Sequence, residues 1–251
     1  PKYSKDYAPL PQGITHVPFN DIAALEAAIN ENTCAVIIEP IQGESGILPA
    51  TQEYLQAARR LCDEHGALLI LDEVQTGMGH TGKLFAYEHY GITPDIISSA
   101  KALGGGFPIG AILTTDKIAP TFGPGTHGST FGGNPMACAV GSRAFDIINA
   151  PETLAHVEKQ GQKFQTTLRG LGEKTGVFKE VRGMGLLIGC VLADQYQGRA
   201  SEITAAALKH GLMVLVAGAD VVRFAPSLLL NDEDMAEGLK RLEAALTEWL
   251  V

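Results

Sequence analysis

Short apolar runs, each followed by a longer amphipathic or Gly-rich stretch, organise the first 150 residues. CAVIIEP (34–40) and ALLILDE (67–73) carry Val, Ile and Leu without polar alternation. That is the pattern of strands apolar on both faces, in a parallel sheet covered by helices. DIISSAK (95–101) and IGAILTT (109–115) continue the series, with VQTGMGHTGK between as a polar, Gly-rich hairpin region. Asn20 or Asp21 is placed to cap a helix reaching about Ile29, and a second helix is expected from about Gln52 to His65, closed by Gly66. Strands alternating with such crossovers predict an α/β layer fold. Residues 1–17, rich in Pro, Gly and Tyr, open with neither strand nor capped helix, as a flexible lead-in or a truncated start would.

Two helical stretches follow, and the texture changes after them, from Val177 onward. Residues 135–148 and about 152–173 have apolar side chains at helical spacing. VFKEVRGMGLLIGCVL, GLMVLVAG and VVRFAPSLLL then read as short strands, and NDEDMAEGLKRLEAALTEWL as a capped terminal helix. The pattern predicts two domains: residues 1–149, and a smaller α+β unit over 150–251. No internal repeat is present.

Composition narrows the classes. Lys+Arg 19 against Asp+Glu 28 gives a net charge of −9, the wrong sign for a partner that is a nucleic acid. No apolar run reaches the ~20 residues a membrane span needs, and the start lacks the apolar stretch of a signal peptide, so a cytoplasmic location is expected. Cys34, Cys62, Cys138 and Cys190 match neither a redox pair nor a zinc set and are expected to be buried free thiols. The seven His residues show no metal-ligand spacing.

Polar groups just past the carboxyl ends of strands face the crevice of such a fold. Asp72 ends ALLIL, Lys101 ends DIISSA, and Glu39 ends CAVII. A buried Asp–Lys ion pair would satisfy the same pattern, but one chemistry needs both groups: pyridoxal phosphate chemistry. There a lysine amine forms a Schiff base with the cofactor aldehyde and an aspartate keeps the pyridine nitrogen protonated. Once released by the incoming amino acid, the same lysine is placed to carry the Cα proton.

VIIEPIQGESG, LLILDEVQTGMGHTG, DIISSAKALGGGFPIGA and GTHGSTFGGNPMACAV, in that order, closely resemble the class III, ornithine-type pyridoxal phosphate aminotransferases. The resemblance is strongest to those acting on acetylornithine and succinylornithine, and VRGMGLLIG and VRFAPSLLL extend it nearly to the C-terminus. It implies the fold type I architecture and a cofactor set of Asp72, Glu73, Val74, Gln75, Lys101 and Thr130. Lys101 would be the cofactor lysine and Asp72 the partner of the ring nitrogen. Val74 would pack on the ring and Gln75 would bond its phenolic oxygen. Thr130 would reach the phosphate of a neighbouring subunit, with Ser129 beside the substrate, so a homodimer with shared active sites is implied. Glu44 and Arg223 resemble the pair in which the glutamate masks the arginine in one half-reaction and frees it for a dicarboxylate in the other. The implied reaction moves the distal amino group of N-acetylornithine or N-succinylornithine to 2-oxoglutarate.

Gly104, Gly105 and Gly106 lack the residues of a phosphate loop and read as a tight turn beside the lysine. Glu39 reads as a support rather than a substrate contact, and His127 as structural. His80 stands where the family usually has Arg. The family's phosphate-binding turn, ring-covering aromatics and an arginine for the substrate carboxylate, all carried ahead of the matched region, do not appear, so the resemblance implies the later part of a longer polypeptide. The rivals are an ornithine, 4-aminobutyrate or other ω-amino acid aminotransferase, a glutamate-semialdehyde aminomutase, and a non-catalytic truncation that only dimerises.

Overall fold

The computed structural model describes residues 5–251. Helix α1 (Ile22–Ala28) is capped by Asp21, whose carboxylate accepts from the Ala24 N–H at 2.9 Å. Strand β1 (Ala35–Ile38) leads to a small ribbon, β2 (Ile41–Gln42) with β3 (Leu48–Pro49), then to α2 (Gln52–His65) and β4 (Leu68–Asp72). Thr51 caps α2 and Gly66, at φ +69°, closes it. β5 (Ile96–Ser99) and β6 (Ala111–Thr114) complete a four-stranded sheet of order β1-β4-β5-β6. The first three strands are parallel and β6 is antiparallel to β5. α3 (Pro135–Ile148) starts on an Asn134 cap with Pro at its first position, where a missing N–H costs nothing. The long helix α4 (Pro151–Thr175) follows.

A second sheet, order β7-β8-β10-β9, comes from β7 (Phe178–Met184), β8 (Leu187–Leu192), β9 (Leu215–Val216) and β10 (Val221–Phe224). It is antiparallel throughout. α5 (Ala200–Lys209) lies between β8 and β9, and α6 (Asp232–Trp249), with Asn231 as cap and three acids in its first turn, ends the chain. SLLL (227–230) is turn rather than strand, and VQTGMGHTGK forms consecutive turns rather than a hairpin. Glu73 is the reason. Its buried carboxylate accepts from Thr76 Oγ1 at 2.5 Å and from the N–H groups of Ala86 and Tyr87 at 2.9 and 2.8 Å, so that segment is tied to a side chain and not to a partner strand.

Each sheet carries its own core. Leu25, Tyr54, Leu55, Leu61, Leu69 and Leu71 are buried between the first sheet, α1 and α2. Leu168, Leu186, Ile188, Leu192, Ile203 and Leu242 fill the space between the second sheet and α4, α5 and α6. Each fully buried Leu or Ile of this kind contributes roughly 1.5–3 kcal/mol. The first sheet departs from the expectation of burial on both sides. Ile38, Leu69, Leu71, Ile97 and Ser99 share one buried face. The opposite face bears Ile37, Ile70, Asp72, Ile96, Ser98 and Ile112, and every one of these keeps solvent contact. Right-handed crossovers put α2 on only the first side. The thiols depart too: Cys62 and Cys190 are buried, but Cys34 and Cys138 are exposed on β1's lead-in and on α3. Burial pushes the Cys62 thiol up to about 11.

α4, the 184–186 turn and the 80–81 loop touch backbone to backbone. A Cβ at Gly161 would lie 2.3 Å from the Gly185 carbonyl oxygen, and one at Gly185 would lie 2.5 Å from that of His80. Gly161→Ala is therefore expected to destabilise by about 2 kcal/mol net, overpacking outweighing the ~1 kcal/mol helix-propensity gain. Gly170→Ala on the same helix meets nothing within 4 Å and should stabilise by up to ~1 kcal/mol. Thermal melts of the two variants should move in opposite directions. If both rise, the close approach of the three backbones is disproved.

Candidate active site

The carboxyl ends of the first sheet's strands gather the polar groups. Asp72, the last residue of β4, pairs in register with Ser98 of β5. Its Oδ1 accepts from Ser98 Oγ at 2.9 Å and from the Val74 N–H at 3.1 Å. Its Oδ2 has no protein donor among the described residues, so the side chain is oriented yet keeps one oxygen for a ligand. Ser98 was not singled out from sequence. The signal lay in the SSAK segment, where strand alternation puts Ser98 on the face of Asp72 and Ser99 on the other.

Lys101 follows β5 directly. Its backbone sits at φ +47°, a left-handed conformation that costs a non-glycine residue of order 1 kcal/mol and clusters at functional sites. Its amine makes no hydrogen bond or ion pair among the described residues, and it lines a cleft of about 760 Å³ with His80, Gly105, Gly106, Phe107 and Leu228. Lys101 lies close enough to Glu39, Glu44 and His80 to act on the ionisation of all three. Gly105 and Gly106, at φ +54° and +107°, make the tight turn expected beside the lysine. Glu39 accepts from the Gly43 N–H at 3.1 Å, the support expected of it, and burial raises its carboxyl from the usual range. Burial likewise lowers His80, whose Nδ1 is enclosed without a partner.

Arg223 reaches this end from β10. Its Nη1 donates to Glu44 Oε1 at 2.6 Å, to Gln75 Oε1 at 3.3 Å and to the Gly43 carbonyl at 3.3 Å. Gln75 Nε2 donates to Glu44 Oε1 at 2.9 Å. Arg223 first, and Gln75 after it, hold Glu44 below the usual carboxylate range. The guanidinium is largely buried while Glu44 is half exposed, so the glutamate is the member of the pair free to leave. Gln75 thus joins this pair with its oxygen and one of its two N–H donors, the second making no bond among the described residues. Glu73 has both oxygens committed to the 76–87 segment and only 1% of its surface exposed, so its side chain is not free for a ligand. Ser129 and Thr130 stand apart on an exposed segment beside Phe131 (81% exposed) and Met136 (67%). His127 is held there by Thr126 and an edge contact with Phe122.

The ends of β4 and β5 thus present an oriented aspartate and a free lysine amine within an α/β fold, and β10 of the second sheet adds an arginine masked by a glutamate. The family model for aminotransferase class-III matches residues 1–246, and the chain belongs to that family. It is 84% identical over 99% of its length to the acetylornithine aminotransferase of Neisseria meningitidis serogroup B, and 57% identical over 99% to the succinylornithine transaminase/acetylornithine aminotransferase of Pseudomonas aeruginosa. It spans 63% and 61% of those proteins. The crystal structure of N-acetylornithine aminotransferase from Stenotrophomonas maltophilia superposes with a TM-score of 0.88 at 46% identity, covering 94% of this chain and 62% of that one. The ornithine aminotransferase of Toxoplasma gondii, described with partial occupancy of PLP, gives 0.90 at 33% identity over 97% and 58%. Among the described residues no cluster of His, Cys, Asp and Glu could hold a metal, and no helix is long and apolar enough to cross a membrane.

Proposed function

We propose that this chain is the later part of a pyridoxal phosphate aminotransferase that moves the distal amino group of N-acetylornithine or N-succinylornithine to 2-oxoglutarate. Residues 1–149 would belong to the cofactor-binding domain and 150–251 would form the small domain. The observation that carries the reading is the pair of neighbouring strand ends: a Lys101 amine without a partner among the described residues just past β5, and at the end of β4 an Asp72 with one oxygen left for a protonated ring nitrogen. When bound, the cofactor supplies an electron sink for the charge left as the substrate Cα–H or its distal equivalent loses a proton.

The chain's own residues do the rest. Asp72, fixed by Ser98, would hold the ring nitrogen in its charged form. Lys101 Nζ would hold the aldehyde end of the cofactor and, once released by the substrate amine, would carry the substrate's proton. Val74 supplies an apolar flank. The Glu44–Arg223 pair closes while a neutral or cationic distal group is present and opens for a dicarboxylate. Ser129 and Thr130, on their exposed segment with Phe131 and Met136, suit the contact surface of a homodimer in which each subunit completes the other's site. The chain's four free cysteines fit a reducing, cytoplasmic compartment.

The test compares amino donors on the natural full-length protein. N-acetylornithine or N-succinylornithine should exceed free ornithine in kcat/KM by at least about 100-fold, the discrimination a site built around an acyl amide can supply. Free ornithine or 4-aminobutyrate preferred by a wide margin would overturn the substrate assignment.

A further inference from the structure

The glutamate that masks Arg223 stands on a five-residue loop, Gly43–Ile47, between β2 and β3, and that loop is gripped from below by a single row of the second sheet. Arg182 of β7, Gly189 of β8 and Arg223 of β10 are direct register partners, so their side chains rise from one face in line. The outer two hold the two ends of the loop. Arg223 donates to Glu44 and to the Gly43 carbonyl. Arg182 donates to the Gly46 carbonyl twice, from Nε at 3.0 Å and from Nη2 at 2.8 Å. Between them Ile47 is fully buried with Ile41, Leu187, Val191, Ala217 and Val221. Gly189 makes that seat, since a Cβ there would lie 2.9 Å from the Ile47 Cβ. Ile47 accepts φ +50° to fill it, a conformation in which a β-branched residue is an outlier and which persists only where the surroundings enforce it.

The two arginines are not equivalent. The acceptor of Arg223 is a half-exposed carboxylate, which a ligand carboxylate can replace. The acceptor of Arg182 is a backbone carbonyl, which no ligand replaces, and its one ion-pair partner among the described residues, Glu180 of the same strand, is 3.4 Å away. We propose that Arg182 and Ile47 act as a latch: positioning residues that hold the Glu44 loop down, bias Glu44 toward Arg223, and thereby set how readily the site exchanges its internal carboxylate for that of a dicarboxylate substrate. This rests on the aminotransferase reading above and assigns the regulation of its specificity switch.

The test is a double-mutant cycle on the natural full-length protein with bound cofactor, using glutarate as a non-reacting five-carbon dicarboxylate and reading its Kd by calorimetry. Releasing the latch with Arg182→Gln frees Arg223 more often, so glutarate should bind at least about fivefold tighter, the lower end of ordinary site-to-site coupling. Glu44→Gln should tighten it as well. In the Glu44→Gln background Arg182→Gln should then change nothing further, because the latch works only through that carboxylate. Ile47→Val gives a second route if Arg182→Gln folds poorly, and Arg182→Lys, which keeps a donor, should restore most of the wild-type Kd. Equal effects of Arg182→Gln in both backgrounds, or none in either, would overturn the latch. Absence of transamination by the wild-type protein with every ω-amino donor would instead overturn the aminotransferase reading, and the glutarate cycle would still report on the loop.

Discussion

Lys101→Ala is expected to abolish the proposed transamination, lowering kcat by at least about 1,000-fold, the combined loss of a covalent anchor and a proton carrier. The same substitution should remove the mass adduct that borohydride reduction is expected to fix at residue 101 after pyridoxal phosphate is added. Stability should barely move. Lys101 is exposed, pairs with no acidic group among the described residues, and holds a left-handed backbone that alanine must hold as well. The replacement therefore costs no packing and relieves no strain. An unchanged melting temperature with lost turnover assigns the loss to chemistry. Retained turnover would show that the amine at the end of β5 is not the cofactor's partner, and the reading of the whole site would fall with it.

Arg223→Gln is expected to split the two half-reactions. With 2-oxoglutarate, kcat/KM should drop by about 100-fold, the order of a lost charge-assisted contact to a carboxylate in a mostly buried setting. With N-acetylornithine it should change only a few-fold, because the distal end presents no carboxylate to Arg223. Stopped-flow absorbance of each half-reaction measured separately reads the split. Equal losses in both would mean that Arg223 supports the site as a whole instead of choosing among substrates. The pair also sets a pH limit. Glu44 titrates below the ordinary carboxylate range. Its bond to Arg223 therefore persists at neutral pH and above the ordinary carboxylate range, and is lost as pH falls through its lowered value. Because Glu44 is half exposed, solvent screens the pair and its contribution to stability is small.

The ends of the strands were legible in the sequence. An apolar run that stops at Asp72, and another that stops at Ser99 and delivers Lys101, carry their own boundary, since a charge can end a buried strand but not continue it. Helix starts were legible for a similar reason: Asp21, Thr51, Asn134 and Asn231 each spend a side-chain oxygen on a backbone N–H three residues on, a local event. The role of Glu73 was not legible. It shares Asp72's neighbourhood in sequence, but alternation turns it to the other side, and its partners lie 13 and 14 residues away in a segment with no periodic signal. Arg182, Gly189 and Arg223 form a row only through strand pairing, and no pattern within one strand names the residue opposite it. The exposure of Cys34 and Cys138 escaped for want of the same information, because hydrophobic character gives a residue's preference and not which faces find a neighbour.

The face of the first sheet that bears Asp72 also bears Ile37 and Ile112, 68% and 63% exposed. A ligand crevice needs a gap in the covering layer, whereas isoleucines at the two outer strands of a sheet need cover. A layer settling on this face would bury those two isoleucines and in the same step dry the crevice into which Asp72 opens, so that cover and a stronger local field arrive together.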